Sequence, residues 1–347
     1  MDIGLVGLGK MGLNMALRLL RGGHRVVVHN RSPGPVETAR GEGAEEAADL
    51  ADFVGLLPAP RVVWTMLPAG EVTERHVRDL IDALEPGDVV VEGANSRWTQ
   101  ILDLAGPAHA RGVRLVDAGV SGGVWGLENG YSLMAGGADE AVALVEPALR
   151  TLAPSPDVGW AHVGPLGAGH FVKMAHNGVE YGMMQALAEG FAILESKRDW
   201  GSDGDGRPVE AALDLGRVAE AWRTGSVVQS WLLDLVGEVL ATRPGLGGIA
   251  PWVPDSGEGR WTVEAAIEQR VPAAVIATAL FERFASRNEP QFAARVLSAL
   301  RGQFGGHPVK GGAGPGGEHA DELLDDGTID VVPGGVRTEG ATTRGRH

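Results

Sequence analysis

Ile3-Gly4-Leu5-Val6-Gly7-Leu8-Gly9-Lys10-Met11-Gly12 decides the fold. A short apolar run, Ile3–Val6, leads directly into Gly-x-Gly-x-x-Gly, and an amphipathic helical pattern, Met11–Leu20, follows. Alone, that glycine spacing is a weak signal, but between a strand and a helix it is the fingerprint of a dinucleotide-binding turn. Gly7 permits the tight turn, Gly9 lets the backbone approach a pyrophosphate, and Gly12 lets the helix pack close to the strand. The helix N-terminus then offers unpaired N–H groups to the anion.

The strand-and-helix rhythm continues outward. Arg25–His29, Arg61–Leu67, Asp88–Glu92 and Val113–Asp117 are further β-branched apolar runs, with helical patterns such as Glu71–Leu84 between them. Tyr131–Ala135 adds a candidate strand and Ala138–Leu152 a helix. Strands alternating with helices predict a parallel sheet with helices on both faces. After Gly164 the pattern becomes helical: Phe171–Glu195, Val218–Leu240, Trp261–Glu268, Pro272–Ala285 and Gln291–Gln303. Trp200–Pro208 reads as a flexible loop rich in Gly and Asp. The expected fold is an α/β Rossmann-type doubly wound domain followed by an all-α helical domain. Residues 1–164 form the first, 165–307 the second, and 308–347, rich in Gly, acidic residues and Thr, a disordered tail.

The end of the second strand bears on the nucleotide. A site for NAD usually carries Asp or Glu about 20 residues after the glycines, to hold the ribose 2′-hydroxyl. Here His29-Asn30-Arg31-Ser32 offers no carboxylate. Arg31 can pair with a 2′-phosphate and Asn30 and Ser32 can donate to it, which favours NADP while leaving NAD possible. A surface role for Arg31, with either cofactor tolerated, is the bland alternative.

The chemistry is concentrated in Lys173-Met-Ala-His176-Asn177-Gly-Val-Glu180-Tyr181. Lys173, His176, Asn177, Glu180 and Tyr181 stand at i, i+3, i+4, i+7 and i+8, which is one face of a helix. Such a stripe is normally apolar. Here it carries an amine, an imidazole, an amide, a carboxyl and a phenol, and an amine and a carboxyl two turns apart can serve as base and acid on one small polar substrate. A solvated helix face is the competing reading. Gly178 and Gly182 weigh against it, since glycine inside a helix costs roughly 1 kcal/mol relative to alanine and implies that something approaches the backbone.

The whole chain sets limits. With 347 residues there is room for two domains, and the formal net charge of −15 disfavours a nucleic-acid partner. No cysteine is present, which removes disulfides, thiolate catalysis and thiolate-bound metals. His24, His76, His109 and His162 have no ligand spacing, so no metal site is expected. No apolar run is long enough for a bilayer and no secretory signal is visible, so a soluble cytoplasmic protein without membrane contact is expected.

Four blocks give the chain a resemblance to the 6-phosphogluconate dehydrogenase family, in its shorter form, over roughly residues 1–310. They are Gly7–Gly12 with Asn30-Arg31-Ser32; Glu92-Gly-Ala-Asn95-Ser96; Asp117-Ala-Gly-Val-Ser121-Gly122-Gly123-Val-Trp-Gly-Leu-Glu-Asn-Gly; and Gly167-Ala-Gly169-His-Phe-Val-Lys173 continued through Tyr181. The wider β-hydroxyacid dehydrogenases share the fingerprint, the Ser-Gly-Gly loop and the lysine, but lack the His-Asn-x-x-Glu-Tyr continuation.

The resemblance implies oxidative decarboxylation of 6-phosphogluconate to ribulose 5-phosphate. Lys173 would be the base, needing a lowered pKa, Glu180 the acid, and Asn177 would orient the base and bind a substrate hydroxyl. The cofactor site would comprise Gly7, Leu8, Gly9, Lys10, Met11, Gly12, Asn30, Arg31, Ser32, Leu67, Pro68, Ala69 and Asn95. Asn95 would touch substrate as well, together with Ser121, Gly122, Gly123, His176 and Tyr181. For the phosphate, Gly257-Glu-Gly259-Arg260-Trp261-Thr262 resembles the family's Gly-Thr-Gly-Lys-Trp with Arg260 in the lysine place, and Arg283 in Leu280-Phe-Glu-Arg-Phe matches a phosphate-binding arginine. Longer members close the site with Arg and His from a partner subunit. This chain has no clear arginine counterpart, although His307 in Gly305-Gly306-His307 could supply the histidine. A homo-oligomer, dimer or tetramer, is expected. Two other readings stay open: a different hydroxyacid dehydrogenase of the same superfamily, and a non-catalytic NADP-binding sensor, against which the retained Lys173 and Glu180 argue.

Overall fold

The computed structural model describes residues 1–287 and 291–305. His307 and the tail from 308 lie outside the described residues. Met1–Arg283 form one compact unit, and a second begins at Phe284 and contains the helix Gln291–Gly305.

The first unit opens with β1 (Asp2–Val6), α1 (Lys10–Arg21), β2 (Arg25–His29), α2 (Pro33–Gly41), β3 (Glu45–Glu46), α3 (Leu50–Gly55), β4 (Val62–Thr65), α4 (Glu71–Ala83), β5 (Val89–Glu92), α5 (Trp98–Arg111) and β6 (Arg114–Ser121). A 3₁₀ turn (Gly123–Trp125), α6 (Gly126–Asn129), β7 (Ser132–Gly137), α7 (Asp139–Leu152) and β8 (Trp160–Gly164) follow. The strands form one sheet in the order β3-β2-β1-β4-β5-β6-β7-β8. From β3 to β6 every pairing is parallel.

The sheet is mixed, not wholly parallel as expected, because β7 runs antiparallel to β6. Residues 122–131 are too few for a crossover helix, which takes about a dozen residues or more, so the chain can only turn back. The central strands are buried on both faces, as helices on either side require. Alternate residues divide between two cores: Val62, Trp64, Val89 and Val91 face α1 and α7, while Val63 and Val90 face α3, α4 and α5. Gly12 is dictated by that packing, since a Cβ there would lie 2.0 Å from the Gly7 carbonyl oxygen.

The helical part comprises α8 (Ala168–Ser196), the hairpin β9 (Asp199–Ser202) and β10 (Pro208–Glu210), α9 (Leu215–Arg223), α10 (Trp231–Thr242), α11 (Glu258–Glu268) and α12 (Ala274–Ala285). Two expectations are corrected. The segment Val218–Leu240 is two helices, because Thr224 is extended, Gly225 takes φ +80°, and Ser230 caps α10 by accepting from Leu233 N. Trp200–Pro208 is a hairpin turn, in which the Asp203 carboxylate accepts from Asp205 N and Arg207 N, both at 2.9 Å. Gly and Asp mark both mobile loops and tight turns, so composition could not distinguish them. Among the described residues no helix is long and apolar enough to cross a membrane.

Gly178 explains why α8 tolerates an interior glycine. A Cβ there would stand 2.6 Å from Thr262 Cγ2 on α11, whose hydroxyl donates to Met174 O at 2.9 Å. Gly178→Ala should therefore destabilise the protein. Helix propensity returns about 1 kcal/mol, but overpacking a buried contact costs about 1–3 kcal/mol. A denaturant midpoint equal to or above wild type would show that α11 is not held this closely.

Candidate active site

The site is built where α8 lands on the sheet. Asp117, buried in β6, accepts from Gly167 N and His170 N at 2.7 Å each, anchoring the first turn of α8. Burial pushes the Asp117 carboxyl above its ordinary range, against the His170 charge and these N–H groups. A Cβ at Gly169 would fall 2.4 Å from Met134 O, and one at Gly119 would fall 2.5 Å from Lys173 Cβ. The helix therefore lies directly on β6 and β7, and Lys173, one turn along, is carried into the sheet's crevice.

Lys173 Nζ donates to Asn177 Oδ1 at 2.7 Å. Burial holds the amine below the ordinary lysine range, although the negative charges of Glu258 and Glu180 act in the opposite direction. His176 Nδ1 lies 3.0 Å from Asn177 Oδ1 and 4.0 Å from Glu180 Oε2, and its Nε2 lies 3.5 Å from Ser121 Oγ. Behind Lys173, His170 Nε2 meets Glu92 Oε2 at 2.7 Å, both side chains almost wholly buried. Burial alone would lower His170, but the Glu92 charge and hydrogen bond, with Asp117, raise it on balance.

A cavity of about 340 Å³ joins the glycine turn to this cluster, with Gly9, Gly12, Leu67, Ala69, Asn95 and Lys173 in its wall. Its features fit a dinucleotide. No heavy atom lies within 4 Å of where a Gly9 Cβ would stand, and α1 has neither a side-chain cap nor an acidic residue in its first turn. Leu8, Lys10 and Met11 are in the same turn. Asn30 Oδ1 accepts from Leu8 N at 2.9 Å and its Nδ2 donates to Ser32 O at 2.9 Å, so it fixes the glycine turn against the end of β2. Arg31, Ser32 and Pro68 are exposed, and Pro68 also lines the cavity.

Gly122 and Gly123 turn the chain after Ser121 with φ +134° and +56°. Tyr181 Oη is buried without a hydrogen-bond partner, so its hydroxyl is left with a hydrogen bond to give. The Arg283 guanidinium stacks 3.4 Å from the Tyr181 ring centroid, and its Nη1 donates to Pro254 O at 2.8 Å. Arg260 Nε lies 3.4 Å from Asp255 Oδ2, with half of its side chain exposed. Thus Lys173, Asn177, Glu180, His176, Ser121 and Asn95 converge, Tyr181 and Arg283 form a stacked pair, and Arg260 is engaged with Asp255. Among the described residues no group of three or more His, Asp or Glu could hold a metal ion.

One central residue escaped the sequence reading. Glu258 is buried between Asn95 and Asn177 and accepts from both, from Asn177 Nδ2 at 3.2 Å. Its signal was present, since it interrupts the resembled Gly-Thr-Gly-Lys-Trp with a charge between two glycines. A lone acidic residue at a helix start, however, usually signifies only favourable dipole placement.

Comparison with known proteins agrees with this geometry. The family model for the NAD-binding domain of 6-phosphogluconate dehydrogenase matches residues 2–164, and that for the C-terminal domain of 6-phosphogluconate dehydrogenase matches 169–307. An NAD(+)-dependent, decarboxylating 6-phosphogluconate dehydrogenase from Haloferax volcanii is 40% identical over 311 residues, covering 89% of this chain and 98% of the relative. An NADP(+)-dependent, decarboxylating one from Bacillus subtilis is 31% identical over 336 residues, covering 93% of this chain and 67% of the relative. The Plasmodium falciparum 6-phosphogluconate dehydrogenase structure superposes with a TM-score of 0.73 at 26% identity, covering 92% of this chain and 67% of that one. With both halves matched in order and a relative covered almost end to end, the chain belongs to the 6-phosphogluconate dehydrogenase family.

Proposed function

We propose that this protein oxidatively decarboxylates 6-phosphogluconate to ribulose 5-phosphate and CO₂, with reduction of NADP. The observation that carries the reading is Lys173, an amine that burial keeps low in pKa, in the wall of one cavity with the dinucleotide-type glycine turn. A nicotinamide dinucleotide held by Gly7–Gly12, with Asn30, Arg31 and Ser32 at its ribose and Leu67, Pro68, Ala69 and Asn95 along it, supplies the hydride acceptor.

The chain's own residues handle protons and orientation. Neutral Lys173 takes the proton of the substrate's 3-hydroxyl as carbon 3 gives up its hydride, leaving a 3-keto acid and an ammonium. That ammonium returns its proton to the keto oxygen as the bond between carbons 1 and 2 breaks. The electron pair forms the enediol, and the carboxylate leaves as CO₂. Glu180 then protonates carbon 2, which becomes carbon 1 of the product, while Lys173 takes back the enol proton. Asn177 aims the base through its 2.7 Å hydrogen bond. Ser121, Gly122 and Gly123 hold the carboxylate end, His176 a hydroxyl, and Tyr181, Arg260 and Arg283 the phosphate. Mixing the protein with 6-phosphogluconate and cofactor should raise the absorbance of reduced cofactor with equimolar CO₂. Cofactor reduction without CO₂ would replace this reading by a non-decarboxylating hydroxyacid dehydrogenase, and no reduction at all would leave only a binding protein.

NADP should be preferred over NAD by about ten- to a hundredfold in catalytic efficiency. A charge-assisted bond from Arg31 to the 2′-phosphate contributes roughly 1.5–3 kcal/mol, at about 1.4 kcal/mol per factor of ten. Asn30→Asp with Arg31→Ala should reverse the order, since Asp can still accept from Leu8 N while its charge repels the phosphate. A wild-type protein that uses NAD as well as NADP does would mean that Arg31 does not reach the phosphate. The NAD-dependent Haloferax relative makes that comparison informative.

The division into residues 1–164, 165–307 and a tail from 308 belongs to this proposal, supported by where the two family matches meet. So do a cytoplasmic location and a homo-oligomer, dimer or tetramer. An apolar cavity of about 650 Å³ bordered by α8, α9 and α10, with Leu187, Phe191, Leu232, Val236 and Leu246 in its wall, supports the oligomer.

A further inference from the structure

Glu258 joins two of the expected site residues, Asn95 and Asn177, through one carboxylate. It is a carboxylate only 5% exposed, at the start of α11, far in sequence from both asparagines that it contacts. Asn95 Nδ2 donates to Oε1, Asn177 Nδ2 donates to the same oxygen at 3.2 Å, and Ser256 Oγ donates to Oε2 at 2.6 Å.

An asparagine amide has a donor end and an acceptor end, and its role depends on which end faces the chemistry. By taking the N–H end of Asn177, Glu258 leaves the oxygen end to accept from Lys173 Nζ. With a neutral partner of the opposite polarity, the amide could turn its N–H groups toward the amine. The same carboxylate fixes Asn95, which stands at the C-terminal end of β5, where sheet crevices bind ligands.

We propose that Glu258 is a positioning residue of the catalytic site: one buried carboxylate sets the amide orientation of both Asn95 and Asn177 and faces Lys173 with its charge. Burial would raise this carboxyl, but Ser256, its own backbone N–H, Asn95 and the Lys173 charge hold it below the ordinary range, so it is the charged form that organises the site. The other groups around Lys173 are Glu180 and His176 on α8 itself, and the His170–Glu92 pair with Asp117 from β5 and β6 beneath it. Of these, Glu258 and Glu180 are the negative charges that favour the ammonium.

The role fits this chain's departure from Gly-Thr-Gly-Lys-Trp. A threonine hydroxyl is shorter, has two acceptor lone pairs and brings no charge. A carboxylate accepts from three side chains and opposes the desolvation of the lysine.

Lys173 must be neutral to act as a base, and removing a facing negative charge makes its ammonium easier to deprotonate. Glu258→Gln keeps the shape and an amide oxygen for Asn95 and Asn177 but loses the charge. Two readouts apply. The full chain has four lysines, Lys10, Lys173, Lys197 and Lys310, so ε-¹³C-lysine labelling gives few signals and Lys173→Met assigns the one of interest. In Glu258→Gln the Lys173 signal should titrate at lower pH than in wild type, and the acid limb of kcat/KM should move to lower pH with it.

Glu258→Ala, which leaves both amides unfixed, should lose about ten- to a hundredfold, the value of a hydrogen bond to a charged group. That loss should fall in kcat more than in KM. A Lys173 signal that titrates at the same pH in wild type and Glu258→Gln overturns the inference, and so does an unmoved acid limb. The pH-profile arm rests on the proposed reaction, whereas the resonance arm does not. Wild-type protein inert toward 6-phosphogluconate would sink that reaction and leave the Lys173 titration to decide on Glu258.

Discussion

Lys173→Met should abolish turnover while cofactor and substrate still bind. The methionine fills the space of the lysine stem beside Gly119, so the crevice keeps its shape, but the 3-hydroxyl proton has no acceptor. Loss of a general base costs about 10²–10⁴-fold, and here the same amine serves in three successive proton transfers. The loss should lie at or beyond the upper end of that range. Calorimetric titration should find substrate affinity within a few fold of wild type, because the carboxylate and phosphate are held elsewhere. Retention of more than about a tenth of wild-type rate would show that another group is the base. In wild type, kcat/KM should fall as pH drops through the Lys173 pKa, since the ammonium accepts no proton. Burial sets that fall below the ordinary lysine value of 10.5, and the fall should be missing from any residual activity of the Met variant.

Glu180→Gln separates the early steps from the last one. Glu180 stands two turns beyond Lys173 on the same face of α8, half exposed and 4.0 Å from His176. An amide cannot deliver a proton to carbon, so hydride transfer and CO₂ loss should proceed while the enediol waits. Overall turnover should fall by about 10²–10⁴-fold, the contribution of a positioned acid. The first turnover should still give a rapid burst of reduced cofactor. In D₂O the wild-type product should carry deuterium on one face of carbon 1. In the variant, enediol that escapes into solvent should give product labelled on both faces. Equal, small effects on every step and unchanged labelling would leave Glu180 only a structural part.

Much of this protein was legible in one dimension, and the reason is local. The glycine turn is a matter of backbone geometry between adjacent elements, so Gly7 and Gly12 disclosed the first crossover before any packing was known. The face of α8 follows from helical spacing alone, which is why Lys173, His176, Asn177, Glu180 and Tyr181 could be grouped from the sequence. Boundaries and turns were less secure, because Gly and Asp serve both a loop and a hairpin. The break at Thr224–Ser230 lay inside an otherwise helical pattern of apolar residues.

What only the tertiary structure decided is how remote segments share one small volume. The sequence cannot state that α11 comes within contact of Gly178, because that depends on two helices crossing at a point where one lacks a side chain. Nor can it state that Glu258 lies between Asn95 and Asn177, residues that are 163 and 81 positions away. The lowering of the Lys173 pKa is of the same kind. An amine loses its proton more easily when water is excluded from around it, and that exclusion comes from β6 and α11 closing on α8, not from the residues beside it in the chain. The sequence determined which groups are carried; the packing determined which of them are dry, which are paired, and therefore which can react.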